Sequence, residues 1–97
     1  MEIERAASVW ESLTDTPEEA ANMTMRSQLL LAVGDAVNGW ALSQAQAAAR
    51  LGITQPRLND LLRGRIGKFS LDALVNLSAR AGLTIQLDVR AAGKAAA

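Results

Sequence analysis

The 97-residue chain contains no cysteine and no histidine. Without cysteine there is no disulfide and no thiolate metal ligand. Without histidine a metal site needs carboxylates alone, and the acidic residues do not cluster at ligand spacing. General acid–base catalysis also lacks its commonest side chain. The longest apolar run, residues 29–33, falls far short of a membrane span. The opening stretch MEIERAAS carries both charge signs and lacks the apolar core of a signal peptide, so a cytoplasmic location is expected. No phosphate-cradling glycine motif or other cofactor motif is present, and Ser43 and Ser70 read as helix caps before they read as nucleophiles. These absences argue against an enzyme, a bound cofactor and a membrane partner. The length suits one small domain.

What is there centres on residues 42–64, LSQAQAAARLGITQPRLNDLLRG. Ser43 is a good N-cap, and Ala47, Ala48 and Leu51 follow at helical spacing. Gly52 stands where a helix ends in the left-handed conformation. Ile53 can plug the corner. Thr54 can cap a second helix, with Pro56 in its first turn, where a missing N–H costs nothing. Gly64 stops it. Two helices of about nine residues across so short a break read as a helix-turn-helix over residues 43–63. Ala48, near the crossing, lets the two backbones approach. Leu58, Leu61 and Leu62 turn inward, which leaves Gln55, Arg57, Asn59, Asp60 and Arg63 to point outward. Gln, Arg and Asn can each form paired hydrogen bonds to base edges in the major groove. Asp60 either reads a cytosine amino group or holds an arginine such as Arg63 or Arg57.

Before the motif, residues 1–16 form an N-terminal arm with weak periodicity. Ser8-Val9-Trp10 is either a short strand or a docking segment. TDTPEE is a helix start: Thr16 caps, Pro17 takes the first position, and Glu18 and Glu19 suit the positive helix end. The helix is expected over residues 17–38, with Ala21, Met25, Leu29, Val33 and Val37 spaced by four and Leu30 beside them. A second start near Thr24 or Ser27 is an alternative, because Gly34 weakens an unbroken helix by roughly 1 kcal/mol. Asn38-Gly39 then turns the chain, and Trp40 is a core or corner residue.

After the motif, GRIGKFS at residues 64–70 is a loop punctuated by glycine. Arg65 and Lys68 suit phosphate contacts, and Phe69 and Ile66 tuck inward. Ser70 caps a helix over residues 71–81, with Leu71, Leu74, Val75 and Ala81 as its buried stripe and Leu77 and Ala73 beside it. Gly82 ends it. In residues 83–90, Leu83, Ile85, Leu87 and Val89 alternate with Thr84, Gln86, Asp88 and Arg90, the pattern of a half-buried strand. A strand needs a partner for its N–H and C=O groups. Either residues 8–13 pair with it, or the same strand of a second chain does. The second arrangement makes Leu83, Ile85, Leu87 and Val89 a dimer strand and the protein a homodimer. Residues 91–97 read as a disordered tail.

Net charge is zero but unevenly spread. Residues 1–35 hold Glu2, Glu4, Glu11, Asp15, Glu18, Glu19 and Asp35 against Arg5 and Arg26. Residues 36–70 hold Arg50, Arg57, Arg63, Arg65 and Lys68 against Asp60, five positive minus one negative, or +4. Phosphate attraction acts over a short range at physiological salt, so a neutral protein with one basic face can bind DNA.

The run from Leu42 to Val89 resembles the XRE-type (Cro/repressor-like) helix-turn-helix family, closest to the branch that includes HigA-like antitoxins. The likeness rests on Leu42-Ser43-Gln44, Ala48, Leu51-Gly52-Ile53, Gln55-Pro56, Leu58, Leu61-Leu62, Arg63-Gly64-Arg65, Phe69-Ser70-Leu71 and Leu74. It implies a mainly α, lambda-repressor-like helical domain over residues 17–82, to which the alternating pattern adds one C-terminal β-strand used in pairing. It implies base contacts from Gln55, Arg57 and Asn59, the last at a position where many relatives carry serine. Gln44 is expected to anchor a phosphate, joined by Thr54, Arg63, Arg65 and Lys68. It further implies a DNA-binding transcriptional regulator that binds a palindromic double-stranded operator as a homodimer. In an antitoxin, a small toxin protein is a further partner, and the acidic stretch from Glu2 to Glu19 is a candidate arm for it.

Overall fold

The computed structural model describes residues 16–91 together with Trp10 and Leu13. Among residues 16–91 four α-helices are formed: α1 (Pro17–Gly39), α2 (Gln44–Leu51), α3 (Gln55–Leu62) and α4 (Leu71–Arg80), with a 3₁₀ turn at Ile66–Lys68 between the last two. Each helix begins where a hydroxyl can accept an orphan N–H. Thr16 accepts from Glu19 N, Thr54 from Arg57 N and Ser70 from Ala73 N. Ser43 and Gln46 form a reciprocal capping box, each side chain bonded to the other's backbone N–H at 3.1 Å.

α1 is continuous through Gly34, so the alternative start near Thr24 or Ser27 is not used. Its N-terminal part receives Trp10, whose indole Nε1 donates to Ser27 Oγ at 2.7 Å. The rest of the expected arm, and the tail beyond residue 91, lie outside the described residues. α1 packs along α4, and α2 and α3 cross beside them. The core joins Leu30, Val33 and Val37 of α1 to Ala47, Ala48 and Leu51 of α2, Leu58 and Leu61 of α3, Phe69, and Leu74 and Leu77 of α4.

Two helices bury a face rotated from the one their spacing suggested. In α1, Leu30, Val33 and Val37 are buried while Ala21 and Met25 are exposed. A step of four residues advances about 400° around a helix, so a string of such steps drifts some 40° each time. By Met25 it has left the face that Val37 buries. In α4, Val75 is exposed, and Leu77 and Ser78 are buried in its place. Ser78 tolerates this because its hydroxyl donates to Leu74 O at 2.8 Å. The chain also turns later than Asn38-Gly39 suggested: Gly39 is the last residue of α1, and the positive φ, 56°, falls on Ala41.

The expected C-terminal strand is not formed. Among the described residues there is no β-strand, and the fold is all-α with the helix-turn-helix at its centre. Leu83 packs against the core, and its N–H bonds to Ser78 O as α4 ends. Beyond it the side chains leave the domain: Ile85 is 41% exposed, Leu87 72% and Val89 88%. The alternation is present, but the backbone of residues 84–91 meets no ladder partner among the described residues. A strand's groups are then satisfied as well by water as by any regular conformation.

Candidate nucleic-acid interface

α2 and α3 are joined through Gly52, whose φ of 73° lets Gly52 N bond to Ala49 O and Ile53 N to Ala48 O. Arg80, from the end of α4, lies against this corner. A Cβ on Gly52 would come within 2.8 Å of Arg80 Nη2. α3 is therefore held from beneath by Leu58 and Leu61, both essentially buried, and its outer surface is presented to solvent.

Around α3, successive residues advance by 100°. Pro56, Asn59, Asp60 and Arg63 fall on the outermost arc, and Gln55 and Arg57 fall on opposite flanks, about 160° apart. On the Gln55 flank the surface is open. Gln55 is exposed, as is Gln44 at the start of α2. A cleft of about 170 Å³ runs between α1, α2 and α3 there, lined by Val37, Leu42, Gln44, Leu58 and Leu62 among others. Thr54 sits at the corner, its Oγ1 accepting from Arg57 N at 3.3 Å and its own O–H left to donate.

The Arg57 flank is closed. Arg57 is half-buried; its Nη1 donates to Lys68 O at 2.9 Å and its guanidinium carbon lies 4.3 Å from the centre of the Phe69 ring. Asn59 is half-buried, while Arg63 and Lys68 are exposed, with no side-chain partner among the described residues. Asp60 takes neither Arg57 nor Arg63 as its partner. Its Oδ1 accepts from Arg65 Nη1 at 2.9 Å. Arg50, counted with the basic group, stacks over Trp40 at 4.0 Å.

Of the residues singled out from sequence, the fold thus brings Gln55 and Asn59 onto α3 with Thr54 and Arg63 as its caps, places Gln44 beside its open flank, and sets Arg65 and Lys68 on the loop at its end. Leu83, Ile85, Leu87 and Val89 belong instead to the segment after α4, which has no regular secondary structure. Arg26 was not singled out, and it too reaches the interface. Its Nη1 donates to Phe69 O at 3.0 Å across 43 residues, while Nε bonds to Asn22 Oδ1. No local spacing signals such a contact.

The helix-turn-helix domain model matches residues 12–90. The chain belongs to the helix-turn-helix domain family. The XRE-type resemblance holds at this general level, and membership is consistent with a DNA-binding regulatory role rather than catalysis. No curated protein matches the chain. Among the described residues no three His, Cys, Asp or Glu side chains gather where they could hold a metal ion, and no helix is long and apolar enough to cross a membrane.

Proposed function

We propose that this helix-turn-helix protein is a sequence-specific transcriptional regulator that binds double-stranded DNA through α3. The observation that carries the reading is the presentation of α3. Leu58 and Leu61 anchor one side in the core, while the polar Asn59, Asp60 and Arg63 share the opposite arc with Pro56, and the exposed Gln55 lies beside it. Residues 17–82 are the DNA-binding unit. Gln55 and Asn59 read base edges, each able to form a paired contact to adenine. Gln44, Thr54, Arg63, Arg65 and Lys68 hold the phosphates on either side.

A helix of eight residues touches only a few base pairs. Useful specificity then calls for two copies on inverted half-sites, spaced roughly 34–36 Å apart. The protein therefore acts as a dimer on a palindromic operator. The resemblance to HigA-like antitoxins supports a second reading, neutralisation of a small toxin. The acidic stretch that motivates it lies largely outside the described residues.

In vitro selection from random duplex DNA tests the proposal. An inverted repeat bound by two chains is the expected result. Asn59→Ala should then cost about 1–3 kcal/mol on the selected site and relax preference at one base pair of each half-site. Arg63→Ala should weaken all duplexes about equally and lower the salt dependence. Enrichment of no sequence, with binding that tracks salt alone, would remove the sequence-specific reading.

A further inference from the structure

We infer that Arg57 is a positioning residue for the basic loop at the end of α3 and does not read a base. The inference rests on the DNA-binding reading above and assigns a different task to a side chain that the family likeness places among the base contacts. Within itself loop 64–70 is held only by short-range backbone bonds, Ile66 N to Gly64 O, Lys68 N to Arg65 O and Phe69 N to Ile66 O. Gly64 and Gly67 punctuate it, and its 3₁₀ turn spans three residues with no side-chain cap. Two guanidinium groups from outside the loop close it. Arg57 donates to Lys68 O from α3, and Arg26 donates to Phe69 O from α1. The guanidinium carbon of Arg57 lies 4.3 Å from the centre of the Phe69 ring, itself 1% exposed. The group is therefore engaged both by the carbonyl and by the ring. A turn toward the groove would break the carbonyl bond and uncover the aromatic ring together. Held in this way, the backbone at Lys68 carries an exposed ammonium that has no side-chain partner among the described residues, and its carbonyl is tied directly to α3 through Arg57.

The variant that separates the two tasks is Arg57→Met, which keeps a long apolar stem over Phe69 and removes the donors. In the free protein, exchange of the Lys68 and Phe69 amides, bonded to Arg65 O and Ile66 O, should quicken about tenfold, while Val33 and Leu74 keep their protection. On DNA, affinity should fall about tenfold for every duplex, with the selected site unchanged at each position and a shallower salt slope. Lys68→Ala should cost much less in the Arg57→Met background than in the parent, because the two act through one contact. Arg26→Met should speed the same amides. Unchanged loop exchange in Arg57→Met would overturn the brace, whether or not the protein binds DNA. Relaxed preference at one base pair, or full additivity with Lys68→Ala, would return Arg57 to base reading. If the parent protein selects no site, the functional reading fails while the exchange measurement still decides the brace.

Discussion

Residues 64–70 and residues 84–91 both lie outside the α-helices, and they behave in opposite ways. The first stretch, GRIGKFS, has no periodic pattern, yet its backbone is tied down at almost every position. Gly64 N bonds to Leu61 O, Arg65 N to Asp60 O, Lys68 N to Arg65 O and Phe69 N to Ile66 O, and two arginines take the carbonyls of Lys68 and Phe69. The second stretch continues a clean alternation from Leu83, and its apolar side chains grow more exposed with each step away from α4. Pattern describes what a segment could bury. Attachment depends on whether a surface and a set of hydrogen-bonding partners are there to receive it.

The comparison can be pressed with substitutions of decreasing severity. Phe69→Ala should cost the most, about 3–5 kcal/mol, since it empties a fully buried aromatic site and removes the surface on which Arg57 rests. Urea unfolding followed by circular dichroism measures this, and a loss under 1 kcal/mol would mean the loop is not part of the core. Leu83→Ala marks the boundary between the two behaviours. It is partly buried against the core, so its truncation should cost about 1 kcal/mol in the same measurement. Leu87→Ser should fall within about 0.5 kcal/mol of the parent. A larger loss there would show that residues 84–91 are packed in solution.

Much of the helix-turn-helix is legible because its signals are local. Ser43, Thr54 and Ser70 cap because a hydroxyl two or three residues from a free N–H needs no distant help. Gly52, Gly64 and Gly82 end helices with φ between 73° and 82°, a conformation that side chains resist. Leu51, Leu58, Leu61 and Leu74 fall inward on helical spacing. The faces of α1 and α4 are less legible. Both helices offer more apolar residues than one face can bury, and the choice of Leu30 over Met25, or Ser78 over Val75, depends on which neighbour lies opposite. The charged side chains of the interface are least legible. Residues 36–70 contain five cations, but only the folded chain sets Arg65 against Asp60, Arg50 over Trp40 and Arg57 over Phe69.

Sequence alone determined the capping residues Thr16, Ser43, Thr54 and Ser70, the tight break at Gly52, and the polar residues available to the surface that α3 turns outward. Those properties come from interactions within four or five residues, and they hold whatever the rest of the chain does. Tertiary structure alone decided that residues 83–90 find no ladder partner among the described residues, that Arg26 reaches a loop 43 residues away, and that Arg57 faces Phe69. Each of these depends on which surfaces meet. A guanidinium or an alternating segment carries several possible partners in its chemistry, and only packing selects among them.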